Sequence, residues 1–191
     1  MAEDRTPVGV PGDPDAFDAV IGPEERERLR ERGQTPPEDG PPRPLPSHYS
    51  KCFGCGVEHP TGLHMQMAGS GQRVVGSFTV TEHHQGAPGL AHGGVVAAAM
   101  DEAMGFLLWL LQTLAVTAHL EVDFRNPVPV GSVLELEGGV EREEGRKIFA
   151  RMTGRVGGQV AVEAHALFLK VRAKHFAPYV QETSEGPTYN P

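Results

Sequence analysis

Hydrophobic and polar positions change their period twice along this chain. Residues 63–67 alternate between apolar and polar side chains, and residues 73–80 do so again after a Gly-Ser-Gly turn at 69–71, which predicts a two-stranded hairpin. Residues 93 to about 111 are apolar on nearly every helical face. That run predicts one long, buried helix.

Alternation returns after Thr113. One face of the next predicted strand carries Val116, Ala118, Leu120, Val122 and Phe124, and the other carries Thr117, His119, Glu121, Asp123 and Arg125. Residues 126–131 are typical of a turn, and three further strands are predicted over 133–140, 147–156 and 159–171. Two strands, one helix and a four-stranded meander predict an α+β fold in which a curved antiparallel sheet wraps one long central helix.

Composition separates the N-terminal quarter from the rest. Eleven of the 17 prolines lie at or before Pro60, and residues 1–50 carry 11 acidic against 6 basic side chains. We predict a proline-rich acidic arm over 1–47, a globular domain over 48–176 and a C-terminal tail over 177–191. Within the arm, residues 23–32 predict a helix and residues 33–46 an extended linker.

Charge and cysteine usage narrow the class of protein. A net charge of −8 without a basic stripe argues against a nucleic-acid partner. No apolar stretch is long and uninterrupted enough to predict a membrane span. Two cysteines cannot form a disulfide scaffold, so we expect a cytoplasmic protein.

Three segments resemble a known family. Residues 92–101, His-Gly-Gly-Val-Val-Ala-Ala-Ala-Met-Asp, resemble the helix start of the PaaI-type acyl-CoA thioesterases of the thioesterase superfamily, which have the hot-dog fold. Residues 117–129 are similar to the next strand of that family and its proline-containing exit. The Cys-Phe-Gly-Cys-Gly at 52–56 is similar to the entry segment of one bacterial and mitochondrial branch.

The resemblance covers roughly residues 50–172. It implies that an acyl-CoA thioester is hydrolysed to a carboxylic acid and free coenzyme A. It also implies a homodimer joined at its sheet edges, with dimers often paired into tetramers. Two other functions stay open: an acyl-CoA or acyl-carrier-protein hydratase-dehydratase, and a non-catalytic acyl-CoA-binding protein.

The residues themselves suggest how such a hydrolysis would work. Backbone N–H groups of Gly93 and Gly94, at the start of the helix, suit the negative charge that develops on a thioester oxygen. Asp101 is costly to bury in so apolar a helix, so it is the candidate base or nucleophile. Glu102 competes for that role but points about 100° away around the helix. The simpler interpretations are that the glycines only end a loop and that Asp101 makes a satisfied polar contact.

Helix geometry adds an expectation about assembly. Asp101 lies about 12 Å along the axis from Gly93 at 1.5 Å per residue, too far to serve an oxyanion site at its own helix start. Two helices running antiparallel across a two-fold axis would bring Gly93 of one subunit to Asp101 of the other. We therefore expect an obligate dimer with two shared sites.

The resemblance implies roles for two further residues near the helix. Thr117 matches a position where family members place a Ser or Thr that positions the attacking water. His92 would contact the thioester or fix the loop. Gly86 stands where many relatives carry Asn, and Gln85 is a candidate for that polar contact.

Binding residues are harder to separate from ordinary ones. Arg125, Lys147 or Arg151 would meet the phosphates of coenzyme A, although each is also a typical solvated strand residue. Met104, with the neighbouring leucines, would line the acyl chain, although such residues are core by default.

Cys52 and Cys55 have three interpretations. With His48, His59 or His64 they would make a zinc site of two thiolates and two imidazoles. They would otherwise form a redox pair or a structural entry turn. The irregular histidine spacing favours the structural turn, so we expect neither a metal nor a cofactor.

Overall fold

The computed structural model describes residues 40–172, 175–176, 182–183 and 186–187, and the helix predicted over 23–32 lies outside them. One seven-stranded antiparallel sheet and one long helix make up most of the described chain. The elements, in chain order, are β1 (Arg43–Pro44), β2 (Gln66–Ser70), β3 (Arg73–Thr79), a 3₁₀ helix (Glu82–His84), α1 (Gly93–Leu110), β4 (Ala115–Phe124), β5 (Val133–Glu144), β6 (Lys147–Val156), β7 (Gln159–Lys170), and a separate two-stranded pair, β8 (Glu182–Thr183) and β9 (Gly186–Pro187).

The helix α1 lies across one face of the sheet and contacts every strand from β2 to β7. Its length and hydropathy would suffice to cross a membrane. Nine of its 18 residues are buried, however, and they pack into the core together with the inner face of the sheet. Because the sheet pleat alternates, strands β6 and β7 contribute every second residue to that core. The predicted fold, one helix on one antiparallel sheet, is confirmed.

Strand order corrects the predicted meander. The sheet runs β1-β2-β3-β5-β6-β7-β4, so β4 pairs with β7 at the far edge and not with β5. Residues 125–132 are therefore no tight turn. They pass beside the loop that precedes α1, where Ala91 N–H donates to Val128 O at 2.8 Å and Val130 N–H donates to Gly89 O at 2.9 Å. Alternation specifies which face a residue occupies but not which strand lies beside it.

A β-bulge in β4 corrects the predicted alternation. The register shifts between Thr117 and His119, so Thr117 pairs with Phe168 while Leu120 pairs with Ala166. Paired residues project from the same face of a sheet, and both β7 partners are buried in the core. Thr117 therefore shares the helix-covered face with Leu120, where strict alternation had placed it on the opposite face.

The N-terminal end of the described chain joins the sheet. Within the predicted linker, β1 pairs with β2, and Leu45 N–H donates to Met67 O at 2.9 Å. The β2–β3 hairpin confirms the prediction from alternation. Its turn falls at Gly71, whose φ of 55° lies in the left-handed region that glycine tolerates.

Candidate active site

A carboxylate and a hydroxyl meet between α1 and the inner face of β4. Thr117 Oγ1 donates a hydrogen bond of 2.9 Å to Asp101 Oδ1. Asp101 is half-buried, and burial raises the pKa of its carboxyl above the ordinary value of 3.8, while the Thr117 hydrogen bond lowers it in part. The bulge after Thr117 makes this contact possible, because it turns the hydroxyl toward the helix. A carboxylate of raised pKa, held by one donor, suits a general base.

The start of α1 is organised by His92. His92 is the N-cap residue of the helix, and its Nδ1 accepts a 2.9 Å hydrogen bond from Gly94 N–H. The Gly93 N–H occupies the first helical position, where no acceptor exists within the helix. Both glycines are exposed. Of the two N–H groups predicted to bind the oxyanion, that of Gly93 has no acceptor within the helix, whereas that of Gly94 already donates to His92.

The cap gives a prediction about stability. Replacing His92 by Ala is expected to lower the free energy of unfolding by about 0.5–2 kcal/mol, because Gly94 N–H loses its acceptor. Urea unfolding measures this loss. The matched control is His83→Ala on the adjacent 3₁₀ helix: His83 is also an exposed histidine, and its replacement should change stability by less than about 0.5 kcal/mol. Equal losses in the two variants would show that the His92 cap does not stabilise the fold.

The loop before α1 is held from several sides. Gln85 Oε1 accepts from Gly89 N–H at 2.6 Å, so the side chain predicted to contact substrate spans its own loop. His84 is buried, accepting from Thr81 N–H through Nδ1 at 3.0 Å and lying 3.3 Å from Gly62 O through Nε2. A Cβ at Gly86 would lie 2.8 Å from His92 Cα, so the loop needs glycine there. These contacts fix the position of His92.

The predicted binding residues lie in ordinary surroundings. Arg125 pairs with Glu163 at 2.8 Å and with Asp123 at 3.3 Å, and these carboxylates raise its pKa. Met104 is fully buried between helix and sheet. Arg151 lies on the outer face of the sheet, in an open concavity of about 570 Å³, on the side away from Asp101.

Phe124 is a residue that sequence reasoning missed. Its side chain is 56% exposed, which is unusual for phenylalanine, and its ring would lie 3.5 Å from a Cβ at Gly93. The ring therefore forms an apolar wall beside the free amide at the start of α1. The sequence feature that could have identified Phe124 is its place at the end of an alternating strand, shortly before the Asn-Pro exit.

Comparison with known proteins shows what this fold and sequence are similar to. A family model described as thioesterase superfamily matches residues 88–169, which include all of α1 and β4. That part of the chain is therefore similar to the thioesterase superfamily. The predicted family resemblance is thereby confirmed.

The chain is also similar to two curated acyl-coenzyme A thioesterases. The chain is 35% identical over 102 residues to acyl-coenzyme A thioesterase THEM4 of Xenopus laevis, spanning 52% of this chain and 46% of that protein. It is 38% identical over 80 residues to the THEM5 thioesterase of Mus musculus, spanning 42% and 32%. The chain thus spans less than half the length of these relatives.

Solved structures show that the domain has the hot-dog fold. A thioesterase superfamily protein matches with a TM-score of 0.60 at 24% identity, covering 88% of this chain and 94% of its own. The PaaI protein of E. coli matches with a TM-score of 0.54 at 16% identity, covering 56% and 83%. A hypothetical thioesterase of Streptococcus pneumoniae, solved with coenzyme A, matches with a TM-score of 0.51 at 18% identity, covering 53% and 80%.

Proposed function

We propose that this protein hydrolyses an acyl-CoA thioester to a carboxylic acid and free coenzyme A. The hydrogen bond between Thr117 and Asp101 carries the proposal, because it holds a half-buried carboxylate against the sheet in a region that is similar to the thioesterase superfamily. The names of the THEM4 and THEM5 relatives support the substrate class. Two further structures of the pneumococcal protein carry an Asp-to-Ala and a Thr-to-Ala substitution with the same separation along the chain as Asp101 and Thr117.

The reaction needs one bond formed and one broken at the thioester carbon. Water attacks the carbonyl, and Asp101 accepts the proton that water loses. The oxyanion is stabilised by the Gly93 N–H and by the positive end of the helix dipole. Collapse of the intermediate breaks the carbon–sulfur bond, and the departing coenzyme A thiolate takes up the proton that Asp101 holds, which restores the Asp101 carboxylate.

Asp101 has a second possible role as the nucleophile itself. In that route its carboxylate attacks first, and water then hydrolyses the resulting anhydride. Single turnover in ¹⁸O-labelled water separates the two routes. A general base puts the label directly into the product acid, whereas in the nucleophilic route opening of the anhydride by water at the Asp101 carbon delivers one unlabelled oxygen from Asp101 to the product in the first turnover and leaves the label on Asp101.

We place each active site at a two-fold axis between two copies of the chain. Two features support this arrangement. Asp101 is too far along α1 from Gly93 to share a substrate carbonyl with it. The ten-residue strand β4 ends the sheet and is paired on one side alone within the described residues, so its other edge is available to a second copy.

The free cysteines Cys52 and Cys55 support a reducing compartment, which we take to be the cytoplasm.

The direct test measures free thiol released from a panel of acyl-CoAs. We expect turnover of at least one of the short-chain, long-chain and aryl substrates, with coenzyme A and the free acid as the products. Hydration or dehydration of an enoyl or hydroxyacyl-CoA without thiol release would indicate the hydratase alternative. Tight binding of acyl-CoA without any turnover would indicate a binding protein.

A further inference from the structure

Outside the proposed catalytic site, four potential metal ligands converge on one point. His48, Cys52 and Cys55 come from the segment before β2, and Glu102 comes from α1. One donor atom from each lies within 4.8 Å of the other three. None of the four acts in the proposed hydrolysis. We call this group the 48/52/55/102 cluster.

The spacing within the cluster matches a tetrahedral zinc site. Zn–S distances of about 2.3 Å and Zn–N distances of about 2.0–2.1 Å put the corners of a tetrahedron about 3.3–3.8 Å apart. Cys55 Sγ lies 3.1 Å from His48 Nδ1, and His48 Nδ1 lies 3.5 Å from Glu102 Oε1. Cys52 Sγ lies 3.6 Å from Glu102 Oε2. Contraction by less than about 1.5 Å would bring the widest pair into the same range.

The surroundings of the two sulfurs also suit metal-bound thiolates. Gly54 N–H donates to Cys52 Sγ at 3.3 Å, and Ser47 Oγ donates to Cys55 Sγ at 3.4 Å. Such outer hydrogen bonds orient ligands and stabilise their negative charge. Cys55 is buried and the rest of the cluster is half-buried. A cation would therefore offset the cost of placing two sulfurs and a carboxylate together away from water.

Local sequence explains why the cluster can close over the helix. Gly56 N–H donates to Cys52 O at 2.9 Å and turns the segment back on itself. A Cβ on Gly54 would overlap the Glu102 side chain, and one on Gly56 would overlap the backbone of Ser50 and Cys52. Gly54 thus permits the close approach of Glu102 to the sulfurs, and Gly56 permits the tight turn of the segment that carries both cysteines.

We propose that His48, Cys52, Cys55 and Glu102 form a structural Zn²⁺ site that ties the 47–58 segment to α1. Two thiolates with nitrogen and oxygen donors select zinc among the common divalent cations. Four protein ligands leave no open position, so the ion stabilises the fold and takes no part in chemistry. The site also fixes the helix one residue beyond Asp101. This proposal does not depend on the thioesterase activity.

The test uses the full chain, reduced with a phosphine and stripped with a chelator. Apo-protein is titrated with Zn²⁺, followed by metal analysis after gel filtration, and in parallel with Co²⁺. We expect one Zn²⁺ per chain and a higher melting temperature in its presence. Co²⁺ should give the sulfur-to-metal charge-transfer band and the intense visible bands of a tetrahedral thiolate site.

Variants assign the ligands. Cys52→Ser and Cys55→Ser should each weaken the charge-transfer band. Glu102→Gln should keep that band but weaken Zn²⁺ binding at least about tenfold, because loss of an outer-sphere partner already costs that much. Glu58→Gln and His64→Gln, on exposed neighbours outside the cluster, are the matched controls and should keep full stoichiometry. Glu102→Gln decides the outcome if a serine variant does not fold.

Three results would overturn the proposal. The first is a reduced wild-type chain that binds no Zn²⁺ in stoichiometric amount. The second is a Cys52→Ser/Cys55→Ser double variant that binds it as well as the wild type does. The third is isolation of the chain with a Cys52–Cys55 disulfide and an unchanged melting temperature on adding Zn²⁺ after reduction, which would assign the pair to redox chemistry.

Discussion

Replacing Asp101 by Asn is expected to lower kcat for thioester hydrolysis by about 10²–10⁴-fold, the range that a positioned general base supplies. Asn has the shape of Asp and still accepts the hydrogen bond from Thr117, so the fold should persist. Thiol release from the best acyl-CoA measures the loss. Glu135→Gln, which neutralises an exposed carboxylate on β5, is the matched control and should keep wild-type turnover. Undiminished turnover by Asp101→Asn would remove Asp101 from the mechanism.

The same substitution should make the protein more stable at neutral pH. Burial raises the pKa of Asp101 in the folded state above 3.8, so the folded chain holds this proton more tightly than the unfolded chain does. Stability is then lost as pH rises from the unfolded value through the raised folded value. Asn carries no charge and avoids this cost, so its melting temperature should exceed that of the wild type at pH 7. A residue with a purely structural role would show the opposite sign.

Activity should follow the ionised form of Asp101. The acid limb of kcat/KM should lie above the range of an ordinary aspartate, because burial raises this pKa. Thr117→Val keeps the side-chain shape but removes the hydrogen bond that lowers the pKa. Its acid limb should therefore move to still higher pH. An unchanged limb in Thr117→Val would show that another group controls the profile.

Replacing Gly93 by Pro is expected to lower kcat by about 10²–10³-fold, the usual loss for one oxyanion donor. Proline removes the N–H, yet it is well tolerated at the first position of a helix. His92 has φ of −68° and ψ of 133°, the extended conformation that a residue before proline prefers. Gly93→Ala is the matched control: it retains the N–H, its Cβ would make ordinary contact with Phe124 at 3.5 Å, and its turnover should stay close to wild type.

The Gly93→Pro variant also tests whether the site is shared between subunits. When it is co-refolded with Asp101→Asn, each mixed dimer has one site with both wild-type groups and one site with neither. Random pairing should then restore about a quarter of wild-type activity from two nearly inactive parents. Activity that stays at the parental level would place Gly93 and Asp101 of one site in the same chain. A stable, active wild-type monomer in sedimentation would do the same.

Sequence patterns predicted the elements well because each element carries its own period. The helix was predicted over 93–111 and spans Gly93–Leu110, and strand β6 has the predicted bounds. Asp101 was recognised as a candidate because a carboxyl group in an apolar helix needs a physical reason. The resemblance of residues 92–101 to the PaaI-type thioesterases drew attention to the two glycines after His92, and the unpaired amides of a helix start give them a chemical role.

Contacts between distant segments could not be predicted in the same way. The place of β4 beside β7 depends on a connection that runs past the loop before α1, and alternation does not encode a strand's neighbour. The bulge that turns Thr117 toward Asp101 is one extra residue within a regular pattern. The sequence offers three histidines as partners for the cysteines, His48, His59 and His64, and it relates Glu102 to Asp101 alone.

The sequence by itself determined the helix, the strands, the acid within the helix and the two glycines at its start, since these follow from local period and from the cost of burying charge. The tertiary structure decided what each of these residues faces. Thr117 contacts Asp101 and Glu102 reaches the cysteines because the closing of the sheet over α1 joins residues that no local pattern relates. Packing sets those distances, and both the proposed role of Asp101 in hydrolysis and the proposed binding of Zn²⁺ by the 48/52/55/102 cluster depend on them.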